Sequence, residues 1–172
     1  MLYALYYPQA IKPEDTRYPH TSAQPFQFTI ERMRHYMGAW HSMTAVLFPD
    51  YLFFDCEKDA AEEAKGKLEE ELNRDQEIKQ RLPLVPIPAE LSEFLYALCD
   101  QEHHIPMSRG IIKDGSAHVT EGPLTGYDDR IVRIDRHKRL AWLKYSDAVT
   151  RNFAKDSTSV LVAGLEITER VS

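Results

Sequence analysis

Arg136, His137, Lys138 and Arg139 place four basic or potentially basic side chains in a row. Such a run cannot all be buried, so it projects into solvent as a positive knob suited to phosphates. The plainer alternative is a solvated turn kept polar for solubility. Arg133 and Lys144 flank the run in strand register, which favours nucleic acid. A second group, Arg32, Arg34, His35, Trp40 and His41, combines charge with stacking surface. That combination suits single-stranded nucleic acid or a duplex backbone, unless the loop is merely polar and its Trp packs back on the strand. Tyr51 and Phe53 lie two apart and share one strand face, while Leu52 and Phe54 take the other. If a helix covers only one face, the opposite face presents rings to a protein partner. The alternative is ordinary core aromatics under a helix.

Recognisable catalytic constellations do not occur. There is no G-x-S-x-G, P-loop or H-E-x-x-H, and the seven glycines never form a G-x-G. Cys99, His103 and His104 could set a thiol and an imidazole one helical turn apart, but two ligands do not make a site. A buried cysteine at a helix end beside polar histidines is the simpler reading. Asp128 and Asp129 read as turn residues. No enzyme activity, metal or cofactor is expected.

These residues need elements to position them. Residues 2–7 form a strand candidate, ended by Pro8. Pro8, Pro13, Pro19 and Pro25 make the next stretch extended or irregular, with at most one short helical turn. Strands over 26–33 and 43–55 then flank 34–41, which reads as a long hairpin with an exposed basic and aromatic tip. From 59 to about 80, Ala61, Ala64, Leu68 and Leu72 fall at helical spacing with glutamates on the other faces. Pro83, Pro86 and Pro88 permit only a short edge strand before a second helix presenting Leu91, Phe94, Leu95 and Leu98. Strands followed by helices make the first hundred residues an α+β layer. Weak periodicity over 101–110 marks a linker, and strand-like runs at 117–120, 130–134, 139–145 and 159–168 suggest a small β-barrel. The polar stretch 146–159 reads as a long loop carrying Arg151 and Lys155.

Composition bounds the function. At 172 residues the chain holds one mid-sized domain or two small ones. A hydrophobic share of 43% and mean hydropathy of -0.46 fit a soluble globular protein. No apolar run is long enough for a membrane span, no signal peptide is recognisable, and two free thiols fit a reducing compartment, so the cytoplasm is expected. The net charge of -6 would disfavour phosphates, but it is unevenly spread. Residues 55–79 carry ten acids against five bases, whereas residues 130–155 carry eight Arg and Lys against two acids. Local binding to nucleic acid is compatible with that division.

Two motifs carry a resemblance. Leu47-Phe48-Pro49-Asp50-Tyr51-Leu52-Phe53-Phe54 and Val119-Thr120-Glu121-Gly122-Pro123-Leu124-Thr125-Gly126-Tyr127, the latter followed by Arg130-Ile131-Val132-Arg133-Ile134-Asp135, together resemble the NusG family of transcription elongation factors. The first is similar to a strand motif of that family's N-terminal (NGN) domain, the second to the KOW motif opening its C-terminal barrel. Glu31-Arg32-Met33-Arg34, Gly38-Ala39-Trp40-His41, residues 134–141 and Gly164-Leu165-Glu166-Ile167 are similar to its specialised LoaP branch.

The resemblance implies an NGN-like polymerase-binding domain over 1–105, a linker over 106–112 and a KOW-like β-barrel over 113–172. It implies a monomeric, non-enzymatic antiterminator, in which Phe48, Tyr51 and Phe53 dock on the clamp helices of RNA polymerase. The basic residues would meet an RNA hairpin in the nascent leader, with upstream or non-template DNA as a further contact. A general NusG-like factor without RNA preference and a KOW-containing ribosomal protein are the alternatives. The chain departs from the family at its first strand, where Met1-Leu2-Tyr3 replaces Trp-Tyr, and at Asp50, where glycine is common and a side-chain hydrogen bond is expected to tighten the bend.

Overall fold

A computed structural model describes residues 1–7, 22–74, 81–145 and 160–172. Most of the proline-rich stretch, residues 75–80 of the expected acidic helix and the stretch 146–159 expected as a long loop lie outside the described residues. Among those described are two α-helices and three mostly antiparallel sheets, a mixed α+β architecture. The chain divides into two compact units, Met1–Gln27 with Phe48–Ala89, and Phe28–Leu47 with Glu90–Ser172.

The first unit is built on β1 (Leu2–Tyr6), flanked by β4 (Tyr51–Asp55) and β5 (Leu84–Pro86) in the order β4-β1-β5. Strand β5 is the short edge strand that its prolines dictate. Helix α1 (Lys58–Leu72) buries Ala61, Ala64 and Leu68 against Tyr3, Leu5, Leu52 and Phe54. The spacing of those small and apolar residues makes the helix, and pairs such as Lys67 with Glu63 at 2.8 Å decorate its wet side.

The second unit contains the β2–β3 hairpin (Thr29–Tyr36 and Ala39–Val46), with β6 (His104–Ile105) parallel to β2. Helix α2 (Ala89–Leu98) buries the expected stripe of Leu91, Phe94, Leu95 and Leu98. A five-stranded sheet follows in the order β8-β7-β11-β10-β9. Its strands are β7 (Ser108–Lys113), β8 (Ser116–Glu121), β9 (Ile131–Asp135), β10 (Leu140–Lys144) and β11 (Val160–Val171). The long β11 pairs with β10 through Gly164 and with β7 from Leu165 onward.

Three sequence expectations are corrected here. The hairpin is present but its tip is much shorter than residues 34–41, because β2 and β3 stay paired up to Tyr36 and Ala39. Met37 and Gly38 make the whole turn, with φ of 50° and 78°, which matches the twist of the flanking strands. The strand expected over 43–55 is two strands in different sheets. Phe48, Pro49, Asp50 and Tyr51 form a turn closed by the Tyr51 N–H donating to the Phe48 carbonyl at 3.1 Å, a backbone bond where an Asp50 side-chain bond was expected. Strand β7 also runs through residues 108–112 of the stretch 106–112 expected as a linker. Its polar ends hide a strand whose Ser108 is fully buried and whose Gly110 lies against the His118 backbone.

Candidate nucleic-acid interface

The segment Val119 to Tyr127 is a scaffold for the second unit's basic face. Gly122 adopts φ of 93°, and a Cβ there would lie 2.7 Å from the Ser108 Cα, so only glycine fits. The Ser108 hydroxyl accepts the Leu124 N–H at 3.0 Å, which fixes the fully buried Leu124. Tyr127 packs edge-on against Phe94 at 5.2 Å, and the Arg130 guanidinium lies 4.9 Å over the same Phe94 ring. These residues shape the unit; the charge that faces solvent comes next in the chain.

The turn from β9 to β10 carries Asp135-Arg136-His137-Lys138-Arg139. The Asp135 carboxylate accepts the Lys138 N–H at 2.9 Å, and that bond holds its pKa below the usual carboxylate range. With the turn fixed from within, Arg136, His137 and Lys138 all point into solvent. Arg139 behaves differently. It takes a left-handed φ of 52°, ion-pairs with Glu166 at 2.6 Å and stacks its guanidinium 4.2 Å over the Trp40 ring. Its charge is therefore shared with Glu166, which also meets Arg109 at 3.4 Å. Arg139 acts as a fixed backing for Trp40 more than as a mobile phosphate ligand.

Pairing on the β2–β3 hairpin sorts the remaining candidates into two faces. His35 stands opposite Trp40, and Glu31 opposite Thr44, on the face that Arg139 meets. Arg34 opposite His41 and Arg32 opposite Met43 occupy the reverse face. The structure thus joins Trp40 and His35, 5.3 Å apart, to the Arg139 turn, and sends Arg32 and Arg34 the other way. The Trp40-bearing face is anchored by Glu31, whose carboxylate accepts the Ser42 hydroxyl at 2.7 Å and the Met107 N–H at 2.8 Å. These two bonds hold the Glu31 carboxyl below its ordinary pKa. A Cβ on Gly164 would come within 2.7 Å of the Glu31 carbonyl oxygen, so this glycine permits the close approach of β2 to β11.

Along the same sheet, Arg133 lies 4.7 Å over the Trp142 ring, directly across the β9–β10 ladder. Lys144 is exposed on the Trp142 side of β10. Sequence reasoning gave no site role to Trp142, Arg109, Glu166 or Glu31, the last two entering only as members of motifs. The alternation in Leu140-Ala141-Trp142-Leu143-Lys144, with the even positions outward, was the available signal for Trp142. Nothing local in sequence announces that Glu166 meets Arg139.

The expected protein-docking aromatics are placed in the first unit. Phe53 is 0 % exposed, bridged to Phe26 through two backbone hydrogen bonds and in ring contact with Phe26 and Phe48. The expectation that the Tyr51–Phe53 face lies open is therefore corrected: both faces of β4 are covered at Phe53. Openness persists only at the strand's start, where Tyr51 and Phe48 are half-buried and Tyr6, 37 % exposed, meets Tyr51 edge-on at 5.6 Å.

The thiol and imidazole candidates do not converge. Cys99 Sγ is directed at the Tyr96 carbonyl, 4.0 Å away, His104 Nδ1 pairs with the Thr29 hydroxyl at 2.9 Å, and His103 packs edge-on to Phe28 at 5.6 Å. Burial raises the Cys99 thiol above its ordinary value, which lowers its thiolate fraction. Compared with known proteins, the chain matches no family profile and no curated protein.

Proposed function

We propose that this protein is a NusG-type transcription elongation factor with an NGN-like part and a KOW-like part, acting in the cytoplasm as an antiterminator of particular operons. It would bind RNA polymerase and an RNA hairpin in the nascent leader, shifting pausing and termination by contact alone, without bond chemistry. The observation that carries this reading is the order of the two motifs, Leu47 to Phe54 and then Val119 to Tyr127, on one short chain. The basic turn Arg136 to Lys138 beside the Trp40–Arg139 stack supports the RNA half of it. The half-open aromatic cluster of Tyr6, Phe48 and Tyr51 supports the polymerase half, with Phe53 as the ring beneath it.

Affinity purification from cells tests the partner directly. Recovery of polymerase subunits is the expected result, and recovery of ribosomes without polymerase overturns it. Binding to a leader hairpin and to random RNA at two salt concentrations tests the specificity. A steep salt slope with no preference between them leaves a general elongation factor in place of the operon-specific one.

A further inference from the structure

Trp40 is mounted in an unusual way for a surface tryptophan. The Arg139 guanidinium backs the ring at 4.2 Å, and His35 meets it at 69° from 5.3 Å. Arg139 is itself held by Glu166 and sits in a backbone conformation that L-residues rarely adopt. Non-glycine residues persist there only where their surroundings over-determine them, and such positions cluster at binding sites. The outcome is a ring backed on one face and 38 % exposed, beside three consecutive side chains that point Arg136, His137 and Lys138 into solvent. A guanidinium behind an aromatic ring resists its rotation and deepens the stacking surface, so little ordering remains to be done on binding.

We propose that Trp40, backed by Arg139, is a stacking platform for an unpaired base of single-stranded nucleic acid, with Arg136 and Lys138 taking the flanking phosphates. This deepens the RNA half of the function proposed above and rests on it only for the choice of ligand. A base inside a duplex is already stacked on both faces and cannot reach a ring mounted on a hairpin strand. An unpaired base can, and its phosphates then fall along the adjacent basic turn. The ligand chemistry is shared by a transcript's loop and by a displaced DNA strand, and the probes below separate them.

The chain has two tryptophans, so a Trp142→Phe background leaves Trp40 as the sole indole reporter. Phenylalanine at position 142 keeps a ring beneath Arg133. In this background oligouridylate, oligodeoxythymidylate and the uridylate annealed to its complement are titrated while fluorescence is followed. The expected result is quenching by at least one single strand and none by the duplex. A uridylate preference assigns the site to RNA, and a thymidylate preference to displaced DNA. Trp40→Ala in the otherwise natural chain should weaken single-strand binding by about five- to 150-fold, while Trp40→Phe restores most of it. Arg136→Ala should lower the slope of log affinity against log salt by about 0.7 without abolishing quenching.

The proposal is overturned if no single strand quenches Trp40, if the duplex quenches equally, or if Trp40→Ala binds as tightly as its parent. It is overturned too if Trp40→Phe is as weak as Trp40→Ala while both remain folded by circular dichroism. Failure to recover polymerase alongside normal quenching removes the elongation-factor reading and keeps the platform. Recovery of polymerase without quenching does the reverse.

Discussion

Phe53 and Trp40 both stand on strands with aromatic neighbours, yet Phe53 is 0 % exposed and Trp40 is 38 %. Phe53 has Phe26 and Phe48 as ring neighbours, all three apolar. Trp40 has Arg139 and His35, groups that themselves need water or a counter-charge. An apolar neighbourhood excludes solvent and turns a ring into core, whereas a charged one keeps the ring at the boundary with one face committed and the rest available. The neighbours, more than the residue type, decide whether a strand aromatic stabilises the fold or meets a ligand.

The strongest way to break this contrast is to remove each ring and compare stabilities. Phe53→Ala leaves a cavity in a sealed cluster and is expected to cost about 3–5 kcal/mol in urea unfolding. Trp40→Ala forfeits a cation–π contact at a partly exposed site, with an expected cost of about 0.5–1 kcal/mol. Equal losses would show that Trp40 is core after all. Next in size is Gly164→Val, which would press a side chain into the Glu31 carbonyl oxygen and the Met107 thioether. Met107 can yield, but the carbonyl belongs to a paired strand, so a loss of about 1–3 kcal/mol is expected. Because β2 leads directly to the Trp40 hairpin, the same variant should also disturb the Trp40 fluorescence.

Much of the framework was legible in the sequence. Both helices and the short β5 follow from apolar spacing and proline placement, and these local signals survive in the fold. The hairpin's true tip was less legible because Met37 takes a left-handed conformation that its type disfavours, with Gly38 as the single hint. The candidate site was legible as a set of residue types and illegible as an arrangement. Strand alternation about the Met37–Gly38 turn decides that His35 and Trp40 share a face and that Arg32 and Arg34 do not. A hairpin tip taken to span residues 34–41 offers no alternation to read. Phe53 failed for another reason. The period-two pattern assigns faces correctly, but nothing in it says how many faces the rest of the chain covers.

The smallest expected effect concerns acid, and it tests whether the Trp40-bearing face is anchored as described. Glu31 accepts hydrogen bonds from the Ser42 hydroxyl and the Met107 N–H, both favouring the ionised form, and His104 and Arg109 add favourable charge. Partial desolvation opposes them and is outweighed, so the folded pKa lies below the ordinary 4.5. By proton linkage, a group that binds protons less readily when folded stabilises the native state at pH above its unfolded value. That contribution fades as pH falls through the lower, folded value. Glu31→Gln keeps a carbonyl acceptor for one partner and removes the titration. Its stability should lie below the parent's near neutral pH, and the gap should close on acidification below the ordinary 4.5. Unfolding curves for the two chains across that range provide the check. A gap that stays constant with pH would mean that the Glu31 charge does not fasten the hairpin.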